Sequence, residues 1–289
     1  DDAALGLRTM SNVLLSADHK PSIVHFKLPC ARPISDYAEH PKNAEFVDSR
    51  GFLHGTSIDV NPWTKQEEEI LQDFLEKTNP DIIGISSRSN YDKEVLQLCE
   101  TIRKRCKAIL EAGGFGPTYD PNAYLNKCDV VCVGEGEKAI LALANCMDCK
   151  RDFSNVPNLA ICQNGSVIQN PLKQFQANDW GLFQWNSSCP SFLIDGNVLQ
   201  SIDRPQVAES DYYTMAGRGC VSDCVYCSAG AWYRLYWNQG IPMPRRRNRS
   251  VDDVINELVI AKHHYPRIHF LDSFLIGSNE YLLDLFKNY

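Results

Sequence analysis

The sequence predicts an α/β fold: a doubly wound parallel sheet over residues 1–150, a hairpin and linker over 151–210, and the opening of a second α/β region over 211–289. Three observations support this. Short apolar runs alternate with helical periodicity from Pro21 to Cys149. Two of those runs, Ala108–Ala112 and Asp129–Val133, end in glycine-containing turns. The alternation then resumes near Tyr212.

Element by element, Asp1–Ala17 reads as a helix with Leu5, Met10, Val13 and Leu14 on its apolar side. The strand that should precede it is missing, so the sequence is expected to begin inside a longer protein. Ser22–Leu28 reads as a strand, and Ile70, Leu71, Phe74 and Leu75 share one face of a helix. Asp81–Ser86 is a buried strand, followed by Val95, Cys99, Ile102 and Cys106 at helical spacing. Glu137–Cys146 is again helical. Leu159–Cys162 and Ser166–Ile168 flank Asn164-Gly165, the pair that supplies the positive φ of a tight hairpin turn. Lys173 to about Ser210 has no clean period and reads as a linker packed between domains. Ser250, with Asp253 three positions on, caps a helix whose expected stripe is Val251, Val254, Ile255, Leu258 and Val259. Arg267–Leu271 is the next strand and Tyr281–Phe286 opens another helix.

Composition narrows the function. The apolar and charged fractions, 44% and 22%, are those of an ordinary globular protein. The net charge of -7 argues against nucleic acid as the principal partner, because phosphate binding rests on Lys and Arg. No apolar stretch approaches the roughly 20 residues of a membrane span, and no signal peptide opens the sequence. Twelve cysteines without a secreted-scaffold spacing point to a reducing compartment, with some of them serving a metal. A cytoplasmic location is expected.

The strongest chemical signal is Cys220-Val-Ser-Asp-Cys224-Val-Tyr226-Cys227, a C-x3-C-x2-C loop preceded by Gly217 and Gly219. Three thiolates on one short loop can hold three irons of a cubane, leaving the fourth iron open. A zinc site would need a fourth ligand, and Cys189, His263, His264 and His269 lie at no finger spacing. Arg245–Arg249 reads as a solvated or salt-bridged lead into the next helix, and Cys146 and Cys149 have C-x-x-C spacing without nearby partners. Farther upstream, Ser86-Ser87, Gly113-Gly114 and Gly134-Glu135-Gly136 stand at the ends of strands, where ligands of open parallel sheets bind. Each of these loops could equally be only a tight turn.

At the cysteine loop the sequence resembles the radical S-adenosylmethionine (SAM) superfamily, and the upstream turns in this order resemble the cobalamin-binding domain of its B12-dependent members. The resemblance implies a Rossmann-like, cobalamin-binding type of doubly wound sheet, followed by the first βα units of a radical SAM partial (β/α) barrel. It implies a [4Fe–4S] cluster on Cys220, Cys224 and Cys227, with SAM on the open iron and Tyr226 against its adenine. Reductive cleavage of SAM would give a 5′-deoxyadenosyl radical. Asp272 and Ser273 stand where many members carry a Gly-Gly-Glu motif that contacts the SAM amino group; the motif is absent here, so Asp272 or Ser273 would take that contact, or Asp272 would be a strand-end turn residue. Ser86, Ser87, Gly113, Gly114, Gly134 and Gly136 would line the corrin and its nucleotide tail, and Glu135 would either join them or be an exposed turn carboxylate. The D-x-H-x-x-G motif that places histidine on cobalt does not occur, which fits a cobalamin lacking a histidine ligand and also a domain that has lost it. The implied reaction is methylation of an unactivated centre on a small-molecule or peptide substrate, with an electron donor such as flavodoxin or ferredoxin and no nucleic acid or membrane partner. Cyclisation or rearrangement without methyl transfer, or an electron-transfer module without radical chemistry, are the alternatives. The stretch after Cys227 is short for a full barrel, so the chain is expected to be a fragment.

Overall fold

A computed structural model describes residues 5–26, 46–47, 53–54, 63–87, 92–174, 188–202, 211–272 and 279–288. Its centre is a five-stranded sheet in the order β4 (Ile82–Ser87), β5 (Ile109–Gly114), β6 (Val130–Cys132), β7 (Leu159–Gln163), β8 (Ser166–Gln169). The first three strands are parallel, and β7 and β8 add antiparallel to that edge. The hairpin expected at 159–168 therefore extends the sheet. Its turn is Asn164 and Gly165, at φ 52° and 75°, a left-handed pair suited to the twist of two strands.

One face of the sheet is covered by α2 (Lys65–Thr78) and α3 (Asp92–Arg103), whose Leu71, Phe74, Leu75, Val95, Cys99 and Ile102 pack on Leu110, Ala112 and Val131. The start of α2 is a capping box. Thr64 Oγ1 accepts from the Glu67 amide at 3.1 Å, and the Glu67 carboxylate accepts from the Thr64 amide at 2.7 Å. The other face carries α6 (Glu137–Asp148) and α1 (Leu5–Leu15), with Ile140, Leu143, Met10 and Leu14 on Val130 and Cys132. The buried side of α1 is more polar than its sequence suggests, because Arg8, Thr9, Ser11 and Asn12 are buried beside Leu5. Two short helices, α4 (Phe115–Tyr119) and α5 (Pro121–Leu125), link β5 to β6.

Two expectations are corrected. The strand in Ser22–Leu28 is β1 (Ile23–Phe26); it pairs in parallel with β9 (Ser191–Asp195) and lies outside the five-stranded sheet, while Lys27 and Leu28 fall outside the described residues. Within the stretch read as a linker, β9 and β10 (Val198–Ile202) form an antiparallel hairpin around Gly196 and Asn197, at φ 59° and 61°. A two-residue pair, β2 (Phe46–Val47) and β3 (Leu53–His54), is also present.

The second region begins with β11 (Asp211–Thr214), which pairs in parallel with β14 (Arg267–Phe270). Between them run β12 (Gly217–Gly219), α7 (Ser228–Trp237), β13 (Arg246–Asn248) and α8 (Val251–Ala261); α9 (Asn279–Asn288) follows. Ser250 Oγ accepts from the Asp253 amide at 3.2 Å, the cap expected from the sequence. Val254 and Leu258 are buried, but Val259 is exposed and Glu257 is buried in its place. Glu257 accepts from Tyr212 Oη at 2.6 Å and Thr214 Oγ1 at 2.9 Å and pairs with Arg249, so it is a satisfied polar member of this core. No helix among the described residues is long and apolar enough to cross a membrane.

Candidate functional site

The cysteine loop joins β12 to α7 and is held at both ends. β12 pairs antiparallel with β13, Arg218 opposite Arg247 and Gly219 opposite Arg246. Gly219 has φ +87°, and a Cβ there would run into the Arg245 carbonyl, so the approach to Cys220 requires glycine. At the far end Cys227 is the N-cap of α7, and its amide donates to the Cys224 carbonyl at 3.1 Å. In between, Asp223 pairs with Arg234 and with Arg245, the latter at 3.2 Å. Cys220, Cys224 and Cys227 are half-buried, whereas Val225 and Tyr226 are each 89% exposed. The loop therefore has no apolar core of its own. Among the described residues no three His, Cys, Asp or Glu side chains converge closely enough to hold a metal ion, so the thiols are carried on one loop without being gathered.

Asp272 is committed inside the protein. Its carboxylate accepts from the amides of Ala216 at 2.8 Å and Gly217 at 2.9 Å and pairs with Arg246. Both oxygens thus fasten the entry to the cysteine loop, where the sequence placed Asp272 against SAM. Ser273 lies outside the described residues.

The strand-end residues fall into two groups. Ser87 is buried and shares a hydrogen bond of 2.9 Å with Tyr124 Oη, and Gly114, at φ +107°, is glycine because a Cβ would overlap the Ser87 carbonyl. Gly134, at φ +85°, faces Tyr236 of α7 so closely that a Cβ would overlap its hydroxyl. Gly136 lies over Cys132 and Met10. These glycines serve close packing within the protein. Ser86, by contrast, is exposed, and Gly113 beside it is half-buried. Among the described residues they leave the floor of the β4–β5 edge uncovered.

Glu135 belongs to neither reading offered by the sequence. It is 5% exposed and paired with Arg247, with Arg218 Nη1 at 3.6 Å. Arg218 also pairs with Glu137, the first residue of α6. Burial opposes the charge on Arg218, but the Glu137 and Glu135 carboxylates outweigh it and raise its pKa. Behind the pairs, Tyr236 Oη accepts from the Glu135 amide at 2.7 Å and lies 3.3 Å from Asn158 Nδ2. Tyr119 Oη donates to the Ser228 carbonyl at 2.8 Å, and Phe115 packs edge-on against Trp232. The turn after β6 and the strand leading to Cys220 are consequently parts of one ion-paired seam. Arg247, read from sequence as part of a solvated or salt-bridged lead, is one of its bolts. The residue spacing carried no signal for this long-range pairing.

Residues 45–144 match the B12 binding domain family model. An uncharacterized methyltransferase of Pyrococcus horikoshii is 26% identical over 221 residues, which cover 73% of this chain and 44% of that protein. Among solved structures, the radical SAM methyltransferase TsrM from Kitasatospora setae, with tryptophan substrate and a SAM analog bound, has TM-score 0.57 at 18% identity over 76% of this chain and 42% of its own. The cobalamin-dependent SAM radical enzyme OxsB, with aqua-cobalamin and SAM bound, has TM-score 0.58 at 16% identity over 95% of this chain and 38% of its own. At such identities the likeness is one of fold, and the chain spans less than half the length of each of these proteins. These matches show that residues 45–144 fit the B12 binding domain model and that the chain shares its fold with parts of TsrM and OxsB.

Proposed function

We propose that this chain is the cofactor-assembling part of a cobalamin-dependent radical SAM methyltransferase. Cys220, Cys224 and Cys227 ligate three irons of a [4Fe–4S] cluster, and SAM takes the fourth with Tyr226 at its adenine. Cobalamin would lie at the carboxyl ends of β4 and β5, over Ser86 and Gly113, the strand-end residues that packing within the protein does not use. The residues fit these groups: the three thiols are soft ligands on a loop without packing of its own, and among the described residues Ser86 is exposed and Gly113 beside it half-buried. A TsrM structure contains both cobalamin and a [4Fe–4S] cluster, which supports the pairing of the two sites.

When bound, these groups supply one-electron reduction of a sulfonium and a cobalt centre able to carry a methyl group. The protein supplies placement. Asp272 and Arg246 fix the entry to the cysteine loop, and Asp223 with Arg234 and Arg245 fixes its middle. Arg218, two residues before Cys220, ties the loop to Glu137 at the end of the B12-binding sheet. That ion pair is the observation that carries the reading, since methyl transfer between two cofactors needs both held in one frame. The substrate class is a small molecule or peptide, and the electron donor a flavodoxin or ferredoxin.

Anaerobic purification with cobalamin, followed by iron, sulfide and cobalt analysis, tests the proposal. The expected result is four irons and one cobalt per chain, with iron lost in Cys220→Ala, Cys224→Ala and Cys227→Ala. Unchanged metal content in those variants would sink it. Perturbation of the reduced cluster's electron paramagnetic resonance spectrum by SAM distinguishes the enzyme from a plain electron-transfer module.

A further inference from the structure

We propose that Cys99 and Cys128 are an oxidation-sensitive dithiol, a modification site at which hydrogen peroxide closes a reversible disulfide between α3 and the turn that leads into β6. Neither residue belongs to the Cys220–Cys227 loop or to the ion-paired seam, and closing the bridge needs neither cobalamin nor SAM.

The two sulfurs are in direct contact, 3.4 Å apart, although twenty-nine residues separate them in the chain. Cys99 is on the buried face of α3, and Cys128 is buried in the turn between α5 and β6. That turn is fixed. The amides of Lys127 and Cys128 both donate to the Tyr124 carbonyl, at 2.9 and 2.8 Å, and the Asp129 carboxylate accepts from the Leu110 amide at 2.7 Å. Residues beside each cysteine are paired too: Glu100 meets Lys127 at 2.6 Å, and Arg103 meets Asp129. Two ion pairs thus flank the dithiol and join the same two segments that a disulfide would join. A disulfide has an S–S length of about 2.05 Å, so the sulfurs need to approach by about 1.4 Å. A buried cysteine among apolar side chains is ordinarily a small, inert hydrophobe. Here each thiol has a second thiol against it, and the flanking ion pairs are partly exposed. Exposed pairs hold weakly in water, so local opening at this end of α3 admits a small oxidant without unfolding the sheet.

The pair also has a division of roles. The Cys128 thiol lowers the pKa of Cys99 more than burial raises it, and the Arg103 guanidinium, one turn further along α3, lowers it again. Cys99 is therefore the sulfur that ionises and attacks. Its thiolate forms an S–O bond to one peroxide oxygen as the O–O bond breaks, and the departing hydroxide takes up the proton that Cys99 gave, leaving a sulfenic acid and one water. The Cys128 sulfur then attacks the oxidised sulfur. The S–S bond forms, the S–O bond breaks, and the hydroxide leaves with the Cys128 proton as a second water. Two thiols have lost two electrons, and one peroxide has gained them. Two equivalents of a small thiol such as glutathione reopen the bridge by exchange and leave as their own disulfide, so a reducing compartment keeps the site open until peroxide appears. The closed loop runs from α3 through β5 and α5, and it restricts the unfolded chain more than the folded one.

The test treats the full chain with a small excess of hydrogen peroxide, blocks the remaining thiols with N-ethylmaleimide in denaturant, and maps the tryptic peptides without reduction. The expected product is Glu94–Arg103 joined to Cys128–Lys138, lighter than the two together by two hydrogens, with fragment ions placing the maleimide on Cys132 and the bond on Cys128. Dithiothreitol separates the two peptides again. The thermal midpoint of the oxidised chain rises by several degrees and falls back on reduction, whereas Cys99→Ala, which cannot close the bridge, shows no rise. Cys149 is exposed and serves as the gauge of oxidation. Cys99 and Cys128 both still blocked by maleimide once Cys149 has been oxidised would overturn the proposal. A bond from Cys99 to Cys106 or Cys132 in place of Cys128 would overturn it as well.

Discussion

Replacing Glu111 with glutamine should make the cofactor-free protein more stable at alkaline pH and leave it nearly unchanged in acid. The carboxyl is buried between two glycines with no cation beside it, and burial raises its pKa from the ordinary 4.5 to about 7. A carboxyl whose folded-state pKa is raised is ionised first in the unfolded chain. Its penalty is therefore absent below about pH 4.5, grows as pH rises towards 7, and is complete above that. A shift of this size at 1.36 kcal/mol per unit amounts to about 3 kcal/mol. Glutamine is close to isosteric and cannot ionise, so it removes the pH-dependent part. Urea unfolding of wild type and Glu111→Gln at pH 5 and pH 8 measures it. The stability difference between the two proteins should widen by about 2.5 kcal/mol from the lower to the higher pH, because a small part of the penalty is already present at pH 5. A difference that is the same at both pH values would refute the reasoning, because it would mean that the folded protein carries the ionised acid without cost.

Three further substitutions probe the seam and the loop. Arg218→Ala leaves Glu137 buried without its cation and should cost about 3–5 kcal/mol in urea unfolding, with Glu137→Gln in the same background restoring part of the loss. Tyr236→Phe removes the acceptor of the Glu135 amide and should cost about 1–3 kcal/mol; a thermal midpoint equal to that of wild type would show that the hydroxyl bears no weight. Gly219→Ala forces a side chain into the Arg245 carbonyl at a left-handed φ, so iron retained after reconstitution should fall, with backbone strain of about 1–3 kcal/mol to relieve.

Local chemistry was legible in the sequence, and distant pairing was not. The Asn164-Gly165 turn, the Ser250 cap and the apolar faces of α2 and α3 depend on residues within one or two turns of each other, so spacing reveals them. The Cys220–Cys227 loop is legible for the same reason. The β9–β10 hairpin escaped because its strands have no clean alternation, although Gly196-Asn197 is a hairpin dipeptide in its own right. Glu257 displaced Val259 from the buried face of α8 because Arg249, Tyr212 and Thr214 supply its partners, and two of these stand more than forty residues away. The same distance hid the role of Glu135, whose partners lie on β12 and β13. Glu111 is visible as an acid within an apolar strand, but its isolation depends on Gly84 from the neighbouring strand.

The docking of α7 also restricts how the molecule can open. Tyr236 is fully buried, and Trp232, Tyr233 and Leu235 pack against the same apolar cluster as Leu110 and Phe74. A hinge along this line would have to strip aromatic surface into water and break the three contacts of Arg218 and Arg247 with Glu135 and Glu137 together. Swinging the two halves apart is therefore an expensive way to admit a bulky macrocycle.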